Sequence, residues 1–230
     1  MTSSRHEEVR QEGRKITVWG RPGSSCCEVV LWGAAELGLE VDLILKGGIH
    51  GGLSDPAFVE INPNKAIPAI RDGDLVLWES AAILQYLAST YGHGSLYPLD
   101  AQQRGEAYRW NVWMQTTLRP KLIPLYTEWM LFLPAGRHLD DLESRRQSCL
   151  AQWSILERQL QGRSYLAGDD FTFGDIAVGV MADWWYGMPI DHFELPNVEA
   201  WYRRLADRPA FRQTVARRFA EQTRPQAERR

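Results

Sequence analysis

Hydrophobic and polar positions change their period along this chain, and the changes mark its elements. Thr17-Val18-Trp19, after a charged leader, predicts a first strand that ends at Gly20-Arg21-Pro22-Gly23. From residue 25 to residue 37, Val30, Ala34 and Leu37 recur on one helical face, and Gly38 suits the residue that ends such a helix. Val41-Asp42-Leu43-Ile44-Leu45 alternates as a second strand. A glycine-rich loop, Gly47-Gly48-Ile49-His50-Gly51-Gly52, leads to a short helix near residues 55–59. Residues 62–70 read as an apolar strand broken by Pro68. A turn at Asp72-Gly73-Asp74, a strand at Leu75-Val76-Leu77-Trp78 and a helix opening on Glu79-Ser80 follow.

From residue 101 onward no strand pattern is found. Helical patterns cover residues 102–118, continue past Pro120 and Pro124 with kinks, and recur over residues 140–160. Thr172-Phe173-Gly174-Asp175 is a capping box, with Phe171 placed to staple onto Ile176. It should start a buried helix through Val178 and Met181, and a final helix covers residues 198–205. The expected organisation is a disordered extension (1–14), an α/β domain (15–92), a linker (93–101), an all-helical domain (102–222) and a frayed basic tail (223–230).

Composition narrows the function. At 230 residues the chain can hold one large domain or two small ones sharing an interface. A net charge of −3 argues against a nucleic-acid partner, and no apolar run approaches the ~20 residues that span a bilayer. The leader lacks the apolar core of a secretory signal. The 3 Cys, two of them adjacent, form no disulfide framework and suit a reducing, cytoplasmic setting.

Candidate chemistry gathers around Pro68. A proline cannot donate to a sheet ladder, so the backbone of Ile67 is left open to pair with an extended peptide. Ser80 can cap the following helix, whose start favours a carboxylate, and Glu79 beside it favours an ammonium. A pairing edge with such a clamp suits a small peptide with a free amino-acid end, such as glutathione. Here the chain resembles the glutathione S-transferase family, with bacterial theta-, zeta- or nu-like traits, over nearly everything from residue 16 to about 215. The resemblance rests on Ile67-Pro68, Glu79-Ser80, the segment from Gly168 to Asp175, Pro196-Asn197-Val198-Glu199-Ala200-Trp201-Tyr202 and Arg208-Pro209-Ala210-Phe211. It implies a thioredoxin-like N-terminal domain, which the βαβαββα order matches, and an all-helical C-terminal domain. It also implies a cytosolic homodimer that joins glutathione, as co-substrate, to a small electrophile.

Glutathione chemistry needs a thiolate, and a free thiol ionises only near ~8.5. The polar run Ser24-Ser25-Cys26-Cys27 stands between the first strand and helix, where transferases of this fold carry the activating group. It is most similar to the zeta class, and in that register Ser24 is the activating serine. Two alternatives stay open: Ser25 in that role, or Cys26 acting as a thiolate in disulfide or peroxide reduction. A non-catalytic binding protein on the same fold is a third reading. The resemblance assigns Ile67 with Pro68, Glu79 and Ser80 to glutathione, while Lys65 or His50 could meet its glycine carboxylate. Trp110, Trp113 and Met114 are candidates to line the second-substrate cleft, as are Trp184, Trp185 and Tyr186. An apolar or aromatic electrophile is expected to fit such a cleft, whereas Arg109 and Arg119 could attract an acidic one. Asp175 belongs to the capping box and reads as a folding element. Cys27 and Cys149 read as small core residues.

Overall fold

The computed structural model describes residues 15–129, 139–188 and 190–215, so the expected extension and tail lie outside the described residues. The first half contains β1 (Lys15–Gly20), α1 (Ser25–Glu36), β2 (Glu40–Leu45), a short 3-10 turn (Gly48–His50), α2 (Pro56–Ile61), β3 (Ala69–Asp72), β4 (Leu75–Trp78) and α3 (Ser80–Tyr91). The sheet order is β2-β1-β3-β4; β1 runs parallel to β2, and the other pairs are antiparallel. The chain joins the sheet only at Ala69, because Pro68 has no N–H to give it; the Ile67–Pro68 peptide is cis.

Helix α1 stops as its sequence dictates. Gly38 takes φ +67, the Leu39 N–H bonds Ala34 O at 3.0 Å and the Gly38 N–H bonds Ala35 O at 3.1 Å, which together satisfy the last free carbonyls. The helix has two apolar faces. Val30 and Ala34 pack with Ile16, Val18, Ile70 and Ile83 beneath the sheet, whereas Val29 and Trp32 belong to the core of the second half. Leu84 and Ala88 of α3 do the same, so the two halves share one core.

The second half contains α4 (Ala101–Trp113), a π-helical stretch (Met114–Leu118), α5 (Arg119–Thr127), α6 (Leu139–Gln159), α7 (Phe173–Tyr186), α8 (Pro196–Ala206) and α9 (Pro209–Thr214). The helix expected to kink at two prolines is divided by the π stretch. Pro120 then falls in the first turn of α5, where its missing N–H matters least, and Pro124 lies inside that helix. Helix α9 was not legible in the hydrophobic pattern; it brings the Phe211 ring edge-on to Trp32 at 4.9 Å.

Helix α7 is buried from Phe173 to Trp185. The fully buried Asp175 carboxylate accepts bonds from Thr172 N and Leu166 N (2.9 Å each), Thr172 Oγ (3.0 Å) and Trp201 Nε1 (2.9 Å). Burial pushes its carboxyl upward against the pull of these donors. Phe171 packs on the core cluster that holds Ile176, against Trp32 and Tyr165, with the Arg208 guanidinium 3.8 Å from its ring centre. Arg208 also grips Glu36 through two bonds of 2.7 Å, joining α1 to the start of α9. Among the described residues no helix is long and apolar enough to cross a membrane.

Candidate functional site

Strand register assembles the site. Trp19 near the end of β1 pairs with Ala69 at the start of β3, and Ala69 pairs with Trp78 at the end of β4. Gly20-Arg21, Pro68 and Glu79, each one step beyond that row, therefore lie side by side at one end of the sheet. The starts of α1 and α3 follow from the two outer members. Ile67 is half-buried against the cluster of Trp19, Phe58 and Ala69. Neither its N–H nor its C=O has a hydrogen-bond partner among the described residues.

At α3 the expectation needs one correction. The cap position is Glu79, not Ser80, and no side chain caps the helix. Glu79 is exposed and sits at φ +72, a conformation that costs a residue with a Cβ on the order of 1 kcal/mol or more. Ser80 is the first helical residue, 2% exposed, and its Oγ accepts a 2.6 Å bond from Gln115 Nε2.

At α1, Ser24 occupies the cap position without a side-chain cap bond of its own. Burial pushes the Cys27 thiol up, against the pull of the neighbouring Ser24 hydroxyl. Ser25 is 3% exposed, and Arg119 Nε of α5 lies 3.5 Å from its Oγ. The two cysteines divide, with Cys27 in the core as its apolar neighbours imply. Cys26, in the first turn of α1, keeps some exposure. Cys27 is the fully buried one: a Cβ on Gly20 would fall 2.8 Å from its Sγ. Glu28 is also buried and receives the Trp184 indole N–H at 2.8 Å and the Gly23 N–H at 3.2 Å, fixing the loop before α1 to α7.

The glycine-rich loop closes over the same end of the sheet. A Cβ on Gly47 would lie 3.1 Å from Ile67 Cδ1, and one on Gly48 would lie 2.8 Å from Arg21 Nε. His50 in this loop and Lys65 are both exposed, with no side-chain partner among the described residues. Lys46 is held by Asp55 at 2.7 Å.

The aromatic cleft read from the sequence is corrected by burial. Trp110 is 3% exposed and Met114 1%, both packed into the helical core, because α4 turns that stripe towards α7. Only Trp113, edge-on to Trp110 at 5.2 Å, keeps appreciable surface. Trp184 and Trp185 are likewise buried, and Tyr186 stacks on Tyr202. Arg109 pairs on the surface with Glu106, whereas Arg119 reaches the site. Gln115 carried no sequence signal: it is a polar residue on a polar-faced helix, aimed by the π stretch. A cavity of about 550 Å³ at the other end of α1 is bordered by Glu36, Leu96, Phe171 and Arg208, and none of the site residues named from the sequence lines it.

Comparison with known proteins bears on the fold and the family. Residues 14–89 match the N-terminal domain of glutathione S-transferases, and residues 137–204 match their C-terminal domain. The glutathione S-transferase GstB of Escherichia coli (strain K12) is 33% identical over 202 residues, spanning 87% of this chain and 97% of that protein. Glutathione S-transferase D7 of Anopheles gambiae is 32% identical over 187 residues, 81% of this chain and 84% of that protein. The theta-class glutathione S-transferase of Xanthomonas axonopodis pv. citri, solved with glutathione bound, superposes with a TM-score of 0.83. It is 36% identical, covering 87% of this chain and 96% of its own. A third of the residues shared across almost the full length of a bacterial transferase leaves one conclusion: the chain belongs to the glutathione S-transferase family.

Proposed function

We propose that this glutathione S-transferase activates the thiol of its co-substrate with Ser24 and directs it at a small electrophile held between the two halves. Glutathione, when bound, supplies the sulfur nucleophile. The open backbone of Ile67, lying between two uncapped helix starts, is the observation that carries the reading. Ile67 N–H and C=O pair with the tripeptide backbone, with Pro68 shaping that edge. Glu79 takes the γ-glutamyl ammonium, and Ser80 with the first amides of α3 takes its carboxylate. Lys65 and His50 serve the glycine carboxylate.

Ser24 stands where the α1 amides and helix dipole favour negative charge. Its O–H donates to the ligand sulfur, a bond that is charge-assisted once the sulfur is a thiolate. Ser25 lines the same start and holds Arg119 at hand. With Trp110 and Met114 buried, Trp113 and Arg119 are the C-terminal-half groups left to meet the second substrate. They favour a small electrophile that carries an acidic group.

Steady-state kinetics with a chromogenic aryl halide test the assignment. Ser24→Ala is expected to lower kcat/KM on the order of 10²-fold, as loss of one well-placed donor does, while glutathione still binds. Cys26→Ser should leave conjugation intact. Full activity in Ser24→Ala, or its loss in Cys26→Ser, sinks the reading. The proposed homodimer is supported by Leu75 (39% exposed) and Trp78 (37% exposed) on the edge strand β4, a surface that a second copy would cover. Sedimentation of Trp78→Glu as a monomer would agree; a monomeric wild type would not. The proposed location is the cytoplasm.

A further inference from the structure

We infer that Gln115 is a positioning residue for the γ-glutamyl carboxylate, acting through the hydroxyl of Ser80. The inference rests on the clamp proposed above. Gln115 Nε2 lies 2.6 Å from Ser80 Oγ and comes from the other half of the molecule, 35 residues on. A hydroxyl has one proton to donate and two lone pairs to accept with. Gln115 occupies one of those lone pairs, and the Ser80 hydroxyl has no acceptor among the described residues. The proton of Ser80 is therefore not spent inside the protein. It is left for an acceptor at the start of α3, and the incoming Gln115 bond polarises the hydroxyl and makes it a better donor.

The backbone explains why this residue reaches so far. Gln115 lies in the π-helical stretch, and such insertions re-aim side chains at functional sites. Asn111, one turn earlier and 1% exposed, donates to Ala81 O at 3.0 Å. The segment thus holds the first turn of α3 at two adjacent residues. Asn111 fixes the spacing of the helices through the backbone, while Gln115 fixes the rotation of a hydroxyl. Since Ser80 is 2% exposed, solvent cannot readily replace Gln115 as its partner.

Calorimetric titration of the full chain separates this role from packing. The variants are Ser80→Ala, Gln115→Met (isosteric, no donor), Gln115→Glu (acceptor only) and the Gln115→Met/Ser80→Ala pair. The probes are glutathione and its analogue γ-aminobutyryl-cysteinyl-glycine, which lacks the γ-glutamyl α-carboxylate. Gln115→Met should weaken glutathione about fivefold, the effect of one net hydrogen bond of ~1 kcal/mol. Gln115→Glu should weaken it further, because its carboxylate captures the Ser80 proton and repels the ligand. Against the analogue, Gln115→Met and wild type should bind alike, and the double variant should bind glutathione no worse than Ser80→Ala. Wild-type affinity in Gln115→Met, an equal loss against the analogue, or additive losses in the double variant would each overturn the inference. Unchanged affinity in Ser80→Ala would instead strike down the clamp itself and this inference with it.

Discussion

Asp175→Ala is a stringent test of the claim that a fully buried carboxylate serves folding rather than catalysis. The substitution orphans Leu166 N–H, Thr172 N–H and Trp201 Nε1–H, each bonded at 2.9 Å, together with the Thr172 hydroxyl at 3.0 Å. The hydroxyl can rotate to another acceptor; the other three cannot, since Leu166 and Trp201 belong to separate segments. An orphaned buried donor costs ~1–3 kcal/mol, and removing a carboxylate whose burial is itself unfavourable returns part of that sum. The net loss should be about 3 kcal/mol, large against the ~0.5–3 kcal/mol of ordinary substitutions. Urea unfolding followed by tryptophan fluorescence measures it. With a slope of ~2–3 kcal/mol/M the midpoint should fall by about 1–1.5 M. Conjugation by the folded variant at low temperature should stay within about twofold of wild type, since Asp175 touches no site residue. A stability loss under about 1 kcal/mol, or a drop in kcat with an unmoved midpoint, would refute the reasoning.

Thiol chemistry offers a second check. Burial raises Cys27 and pushes Cys149 to about 12, so a disulfide reagent at pH 8 should modify Cys26 alone in the native protein. Rapid reaction at three thiols would contradict the packing. The same burial sets a pH dependence. Unfolded thiols ionise near 9.0 and the folded Cys149 only near 12, so its contribution is complete below about pH 9 and is lost as pH rises towards 12. Cys149→Ala should flatten that alkaline slope in thermal melts, and an unchanged slope would count against it. Arg208→Ala removes the two-pronged bond to Glu36 and the contact over Phe171; with its side chain 30% exposed, the loss should be about 1–2 kcal/mol. Arg208→Lys should recover little of it, because an ammonium cannot make both bonds at once.

The parts of this fold legible in the sequence were those set by neighbours a few residues away. Gly38 marks the end of α1 because only a left-handed residue closes that turn, and Thr172 with Asp175 marks the start of α7 through reciprocal capping. Pro68 excludes its own segment from the ladder. Periodicity identifies an apolar face but not what covers it. Helix α1 lies between the sheet and α7, so its two faces are both buried, and the approach of Gly20 to Cys27, which no local pattern encodes, separates Cys27 from the partly exposed Cys26. The stripe of Trp110 and Met114 is equally compatible with cleft or core until α7 is placed against it. Arg119 and Gln115 reach serines 94 and 35 residues away, contacts that no local pattern encodes.

The central claim is that Ser24 makes the site ionise a bound thiol, and glutathione titration with proton release recorded near pH 7 tests it most directly. A free thiol is largely protonated there, so wild type should release close to one proton per glutathione bound. Ser24→Ala should bind with comparable affinity and release far less. Equal release from both proteins, or binding to wild type without release, would contradict the account.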